Sequence, residues 1–307
     1  MKNFGRMIGA LSSAGLLGAT LTLAAGAGAG TAASVVPAIV HAPRIPGPGV
    51  GNGLHSTWSA SNWSGYAETG SFAGVSGTWT VPSVAASSSP TYSSAWIGVD
   101  GFANSSLIQT GTEEDYYSGA AHYNAWWEIL PAPETALPSG HAVNPGDTMT
   151  ASIYETTAPT AAPPVHGRSH GGGGGGTSPG QWVITISDTT PGHAWTFSTT
   201  QSYNGAGASA EWIMEAPQIG GRIGTLAHYT ITPATAGAGD FDNAGILKSA
   251  VASGSTPSYT PAGLNYNNDS GVMIQNRVVV STPGNPDSAL NAFNVAYGSA
   301  LPATPSS

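Results

Sequence analysis

Residues 210–215 read Ala-Glu-Trp-Ile-Met-Glu, a short run that has the composition of a β-strand. Side chains alternate between the two faces of a strand, so Glu211, Ile213 and Glu215 share one face while Trp212 and Met214 share the other. Two carboxylates beside an isoleucine are unusual on one strand face. The run therefore predicts a strand, and the two carboxylates on its polar face indicate a role other than contact with solvent.

Similar runs rich in Trp, Tyr, Val, Ile and Thr recur along the chain between Gly, Pro, Ser and Asn breakers, without a convincing amphipathic helix. The candidate strands are residues 62–66, 77–81, 94–99, 107–111, 122–130, 148–154, 182–187, 194–199, 208–214, 226–231, 272–280 and 293–297. This spacing is typical of an antiparallel sandwich or barrel. We predict an all-β fold, an antiparallel sandwich of two large sheets of the lectin-like jelly-roll kind.

The first 33 residues resemble a secretory signal peptide. Lys2 and Arg6 form a basic region, residues 8–25 are apolar, and small residues follow as far as Ala33. A transmembrane anchor is the alternative, but Gly and Ser dilute the apolar run and no stop-transfer pattern follows. We expect a secreted, extracellular protein that has no membrane association once residues 1–33 are removed.

The remaining chain divides by composition. Residues 34–58 are rich in Pro, Gly, Ala and Val without a helical or strand period, which indicates a propeptide or linker. Residues 59–307 are long enough for one large β-domain. Within them, residues 161–178 contain a glycine run that we interpret as an insertion loop. The alternative, a linker between two domains, is disfavoured because the strands on both sides look alike.

The composition suggests tolerance of acid. The chain has no cysteine, and only 7% of its residues are charged, with 16 acids, 7 bases and 8 histidines. Acid unfolds proteins mainly by protonating paired carboxylates. A fold with few ion pairs should therefore lose little stability at low pH. A Ser-, Thr- and Gly-rich extracellular composition without acid adaptation is the alternative. Since no basic residues cluster, we expect no nucleic-acid partner.

Polar side chains also mark two other candidate strands. Residues 107–111 read Leu-Ile-Gln-Thr-Gly, and Gln109 shares a face with Leu107, where an unpartnered buried amide would cost a few kcal/mol. In residues 122–128, Trp126 and Glu128 share a face. Paired carboxylates beside tryptophans are compatible with a glycoside hydrolase. They are equally compatible with a non-catalytic carbohydrate-binding module, or with glutamates that are only structural.

Five segments together resemble a known family. They are Ser-Asn-Trp-Ser-Gly-Tyr (61–66), Ala-Trp-Ile-Gly-Val-Asp-Gly (95–101), Leu-Ile-Gln-Thr-Gly (107–111), Tyr-Asn-Ala-Trp-Trp-Glu (123–128) and Ala-Glu-Trp-Ile-Met-Glu (210–215). In this order they resemble the motifs of the glutamic peptidases, or eqolisins. The similarity spans roughly Ser61 to Ile231. The chain departs from the fungal members in having Asn-Trp-Ser-Gly for Asn-Trp-Gly-Gly, no cysteines and the glycine-rich insertion.

The resemblance implies a two-sheet sandwich and hydrolysis of peptide bonds at acidic pH, without a metal, another cofactor or a covalent intermediate. It implies catalytic roles for Gln109 and Glu215. The residues with implied supporting or substrate-binding roles are Trp63, Trp96, Asp100, Glu128 and Glu211. We expect Glu211 and Asp100 to raise the pKa of Glu215.

We therefore predict a secreted, pepstatin-insensitive acid endopeptidase, a monomer acting on proteins or peptides and made as a zymogen. His41, Arg44 and His55 are the basic groups between the leader and the domain. A basic prosegment can pair with active-site carboxylates and leave when these take up protons. The alternative is a passive spacer.

Overall fold

The computed structural model describes residues 38–49, 56–157, 180–233 and 235–306. The described residues all belong to one compact unit, Pro37–Ser307. The predicted signal peptide (1–33) and glycine-rich insertion (161–178) lie outside the described residues. Within the described ranges, no helix is long and apolar enough to cross a membrane.

The described residues form strands and one four-residue helix. The strands are β1 (Ile39–Val40), β2 (Trp58–Ala60), β3 (Trp63–Thr69), β4 (Gly74–Thr80), β5 (Ser83–Val84), β6 (Ser94–Val99), β7 (Ile108–Tyr117), β8 (Ala120–Ile129), β9 (Thr135–Ala136), β10 (Thr148–Thr157), β11 (Gly180–Asp188), β12 (Trp195–Tyr203), β13 (Ser209–Glu215), β14 (Gln218–Ile219), β15 (Arg222–Ile223), β16 (Tyr229–Thr230), β17 (Phe241–Leu247), β18 (Thr260–Pro261), β19 (Ser270–Gln275), β20 (Val278–Pro283) and β21 (Val295–Tyr297). The helix α1 spans Tyr266–Asp269.

Two large sheets carry the fold, which confirms the predicted all-β sandwich. The larger sheet has the order β21-β20-β19-β3-β13-β6-β7-β8-β9, with β2 joining β19 in parallel. The other large sheet has the order β12-β11-β10-β4-β17-β18. Two small sheets, β1-β14-β15 and β16-β5, lie outside them. The other strand pairs are antiparallel, so hairpins and longer returns connect them.

The main core lies between the two large sheets. Fully buried side chains such as Trp79, Ile97, Met149 and Trp212 meet there. The indole nitrogen of Trp212 in β13 donates to the carbonyl of Ser76 in β4, over 2.7 Å. Each such large side chain contributes about 1.5–3 kcal/mol by leaving water. Because the chain has no cysteine, burial and hydrogen bonding hold the sheets together without disulfides.

The other face of the larger sheet carries a second apolar cluster. Its buried members are Trp58, Ala60, Trp63, Ala67, Trp96, Leu107, Trp126 and Ile213. Strand alternation explains the division, since Ile213 belongs to this second cluster while Trp212 and Met214 belong to the main core. The predicted division of faces in residues 210–215 is therefore confirmed.

The close packing of this second face depends on a glycine. A Cβ atom added to Gly111 would lie 2.4 Å from the carbonyl oxygen of Ala95 and 2.4 Å from the Cβ of Trp96. Gly111 and Trp96 are paired across β7 and β6. A side chain at Gly111 would therefore collide with the backbone and the Cβ of the neighbouring strand β6.

The structure corrects three strand predictions. Residues 272–280 are not one strand, because Asn276 and Arg277 both have positive φ and turn β19 into β20. The strand expected over 226–231 is reduced to β16. Strand β17 was not predicted, since its sequence, Phe-Asp-Asn-Ala-Gly-Ile-Leu, contains breakers that a bulge against β4 accommodates.

Candidate active site

Five neighbouring strands of the larger sheet bring the candidate residues onto its second face. In the order β3-β13-β6-β7-β8 they supply Trp63, Glu215, Trp96, Gln109 and Glu128. Gln109 is paired directly with Glu128, and Glu215 with Trp63. All five side chains are fully buried. Residues that are far apart in sequence therefore lie together on one surface. This surface is the floor of what we call the cleft.

A segment of the chain itself covers this floor. Residues 38–46, which we call the cleft segment, begin with β1, and β1 pairs with β14. Asn62 holds the next part through its side chain, donating to the carbonyls of Ala42 and Pro43 at 3.2 Å and accepting from the backbone N–H of Ile45 at 2.8 Å. The segment is therefore bound through its backbone, as a peptide would be.

Gln109 and Glu128 hold the middle of the cleft segment. The side-chain amide of Gln109 donates to the carbonyl oxygen of His41 at 2.9 Å and to Glu128 Oε2 at 2.6 Å. The backbone N–H of His41 donates to Glu128 Oε2 at 3.2 Å. Among the described residues, Gln109 Oε1 has no hydrogen-bond partner. The amide thus presents a donor to a peptide carbonyl and leaves an acceptor free beside it.

The imidazole of His41 lies against the floor of the cleft. It stacks on the indole of Trp126 with ring centroids 3.6 Å apart and planes 3° from parallel. Its Nδ1 lies 3.1 Å from Glu215 Oε2, and its Nε2 lies 2.8 Å from Glu113 Oε1 and 3.2 Å from Glu134 Oε2. The side chain is fully buried. Burial alone would lower the pKa of His41, but the charge of Glu113 and hydrogen bonds to all three glutamates raise it.

Glu215 has contacts suited to a functional carboxyl group. Its Oε2 accepts from the indole nitrogen of Trp96 at 2.8 Å, and its Oε1 lies 3.5 Å from the amide nitrogen of Asn62. Burial raises the pKa of Glu215, while the hydrogen bond and charge of His41 and the indole of Trp96 oppose the rise. Its protonation therefore depends on whether His41 is in place.

Glu211 and Asp100, which were expected to raise the pKa of Glu215, are not among the causes of its shift, which are burial, His41, Trp96 and Trp63. Burial raises the pKa of Glu128 to about 8, with the charge of Glu215 adding to the rise. Glu211 lies four residues from Glu215 along the strand, roughly 13 Å away. Burial raises the pKa of Glu211, and the charge of Asp100 adds to it. The charge of Glu215 therefore acts on Glu128, whereas the charge of Asp100 acts on Glu211.

Asp100 is turned away from the cleft segment. Its backbone has φ of 72°, and its carboxylate accepts from the Tyr203 hydroxyl at 2.7 Å and from the N–H groups of Gly207 and Ala208 at 2.9 and 2.8 Å. Its contacts hold the loop between β12 and β13. Trp63 remains in the cleft, edge-on to Trp96 with centroids 4.9 Å apart. Of the expected supporting residues, the structure thus brings Trp63, Trp96 and Glu128 together with Gln109 and Glu215.

Sequence reasoning missed Glu113, Glu134 and Asn62 as cleft residues. Glu113 follows Gln109 by four positions on the same strand, so strand alternation alone places both on one face. Glu134 lies in the turn between β8 and β9, where no periodic pattern applies. Of the three basic groups noted before the domain, His41 pairs with carboxylates, Arg44 donates to the carbonyl of Phe102 at 3.0 Å, and His55 lies outside the described residues.

Two groups of side chains have spacings that a metal ion would accept. The ligand atoms of His41, Glu113 and Glu134 lie within 4.8 Å of one another, as do those of Asp147, Asp188 and His193. In each group a histidine nitrogen lies 2.8 Å from a carboxylate oxygen, so direct ion pairing accounts for the clustering. Neither cluster therefore needs a metal ion to explain why its side chains lie close together.

Comparisons with known proteins agree with the motifs. Residues 61–164 match the model of the Peptidase A4 family. Aspergillopepsin-2 of Aspergillus niger is 25% identical over 214 residues, which cover 61% of this chain and 68% of that protein. Scytalidopepsin B of Scytalidium lignicola is 37% identical over 99 residues, which cover 32% of this chain and only 36% of that protein.

A solved structure shares the fold. Scytalido-glutamic peptidase, crystallised with a transition state analog inhibitor, superposes with a TM-score of 0.51 at 20% identity over 77% of this chain and 98% of that one. At this identity the likeness concerns the fold alone. The family match to Peptidase A4 is confined to residues 61–164, and the ordered motifs and the two relatives agree with it.

Proposed function

We propose that the chain is a secreted acid endopeptidase in which Gln109 and Glu215 cleave peptide bonds without a metal or a covalent intermediate. One observation carries the proposal: the Gln109 amide donates to a peptide carbonyl, that of His41, in a segment bound across the cleft. Asn62 and Glu128 hold the backbone on either side of this carbonyl. A site built to hold an extended peptide with one carbonyl against a side-chain donor supports peptide hydrolysis.

The reaction follows from these groups. Glu215 as carboxylate takes a proton from water while the water oxygen bonds to the carbonyl carbon. The oxygen that becomes negative is stabilised by the Gln109 amide, and removing one such donor typically costs on the order of 10²–10³ in turnover. Glu215, now protonated, returns the proton to the leaving nitrogen as the C–N bond breaks. Trp96 keeps Glu215 oriented through its indole N–H.

The same contacts support synthesis as a zymogen. The His41 imidazole touches Glu215, and the cleft segment covers Gln109, so substrate and the attacking water have no access while the segment is bound. His41 lowers the pKa of Glu113, Glu128 and Glu215 relative to the effect of burial alone. The contact is an ion pair only while these carboxylates are ionised. Because burial keeps the pKa of all three above its ordinary value while the segment is bound, lowering the pH does not by itself release the segment, and latency rests on the segment occupying the cleft.

The main alternative is a glycoside hydrolase or a carbohydrate-binding module. A glycoside hydrolase would use Glu128 and Glu215 as its pair of catalytic carboxyl groups and would not require Gln109. The position of Gln109, with its donor on a peptide carbonyl, favours the peptidase.

The test is to incubate the full chain at acidic pH with a denatured protein, with and without pepstatin and a chelator. We expect cleavage that neither reagent inhibits, and its loss in Glu215→Gln and Gln109→Ala while circular dichroism shows an intact fold. Glu211→Gln is the matched control, because Glu211 lies on the same strand face outside the contacts described. Substantial cleavage by either dyad variant, or activity on polysaccharide instead of protein, would refute the proposal.

A further inference from the structure

The cleft contacts the side chain of His41 on its ring face and at both of its nitrogens. Binding of the peptide backbone alone does not require these contacts. The His41 ring lies flat on Trp126, and both of its nitrogens face carboxylate oxygens, Glu215 on one side and Glu113 with Glu134 on the other. We call the space bounded by Trp126, Glu113, Glu134 and Glu215 the imidazole pocket. Its shape and its charges both bear on which ring it accepts.

Each wall of the pocket selects a different property. The indole face accepts a flat ring and attracts a cation. The carboxylates on opposite edges accept hydrogen bonds from two N–H groups, and an imidazole ring has two N–H groups only in its charged form. A phenylalanine ring could stack on the indole, but it would leave the buried carboxylates without hydrogen-bond donors. This would cost binding free energy. Lysine would supply charge but no flat ring.

We infer that the imidazole pocket is a recognition site for the imidazolium ring of histidine, filled by His41 within the chain and, once the cleft segment has left, by histidine of a bound peptide. The inference rests on the proposed function for the identity of the cleft. It goes further in naming a ligand class. Because Nδ1 engages Glu215, a peptide with histidine at the residue held by Gln109 binds tightly and occupies the catalytic carboxyl group, so it acts as an inhibitor.

The first test empties the pocket in the full chain with His41→Ala. Imidazole is titrated at about pH 5, where the free ring is protonated, and compared with pyrazole, a ring of the same size that stays neutral. Calorimetry should show imidazole binding about tenfold tighter than pyrazole. Adding Glu134→Gln should weaken imidazole binding about tenfold and leave pyrazole unchanged. Glu68→Gln, a carboxyl group on the opposite face of β3, is the matched control and should change neither.

A second test uses peptides and the unaltered chain after acid treatment. Acetyl-Ile-Val-His-Ala-amide should inhibit cleavage of a denatured protein about tenfold more strongly than the matched phenylalanine peptide. Glu134→Gln should remove this difference. Should His41→Ala not fold, this arm alone decides the inference.

The outcomes separate the two claims. Equal binding of imidazole and pyrazole, or equal inhibition by the two peptides in an active enzyme, would overturn the imidazolium site and leave the peptidase intact. Preferential imidazole binding in a chain that cleaves no protein at any acidic pH would overturn the proposed chemistry while supporting the site.

Discussion

The fold should become more stable as the pH falls from neutral to about 4. Burial raises the pKa of Asp240 to about 6, of Asp115 to about 7 and of Glu128 to about 8. A carboxyl group whose pKa is higher in the folded state contributes stability that is present in full below its unfolded pKa and lost as the pH rises through its folded pKa. The window therefore runs from about pH 4 to pH 8, with acid the stabilising side.

Asp240 allows the size of the effect to be measured away from the cleft. It is 7% exposed, and its carboxylate accepts from the N–H of Val295 at 2.9 Å. Its pKa rises from 3.8 to about 6, a difference of about 2 units, and one unit corresponds to about 1.4 kcal/mol. This single group should contribute about 3 kcal/mol more to stability at pH 4 than at pH 7, as an order of magnitude.

The assay is urea unfolding of the full chain in a Glu215→Gln background, in which the proposed mechanism predicts no self-cleavage. Asp240→Asn keeps an acceptor for Val295 but cannot ionise. Between pH 4 and pH 7 the free energy of unfolding should therefore fall less in the variant than in its parent, by up to about 3 kcal/mol. Asp242→Asn, two residues further along in β17 and more exposed, is the control and should show a much smaller change in the free energy of unfolding. A parent that is more stable at pH 7 than at pH 4, or an Asp240→Asn effect equal at both, would refute the reasoning.

Three further perturbations test the packing of the cleft and its segment. Gly111→Ala forces a Cβ against Trp96, so we expect a loss of about 1–3 kcal/mol in the free energy of unfolding and reduced cleavage; unchanged denaturation curves would contradict this. His41→Ala removes the side chain in contact with Glu215, the proposed catalytic carboxyl group, so cleavage should appear near neutral pH, where we expect the parent to be latent; a gel time course that shows no difference would argue against latency through His41. Arg44→Ala loses a hydrogen bond to the Phe102 carbonyl and a guanidinium contact at 4.2 Å from the Phe102 ring, together worth about 1 kcal/mol or more, so an added protease should cut the cleft segment faster than in the parent; an unchanged rate would show that Arg44 does not help to retain the segment.

Strand alternation carried most of what was predictable about the site. A period of two assigned Glu215 to one face and Trp212 to the other without knowledge of pairing, and the structure agrees. The same rule would also have placed Glu113 with Gln109. It failed where the backbone departs from the period, at the Asn276–Arg277 turn and in the bulged strand β17.

The sequence by itself determined the all-β class, the faces of the strands and the family resemblance, because these depend on local periodicity and on short motifs. Only the tertiary structure decided which charges meet. His41 and Glu215 are 174 positions apart, and the charge of Asp100 acts on Glu211. Such contacts depend on strand order and on the path of a segment without a period of its own, and a local pattern carries no information about either.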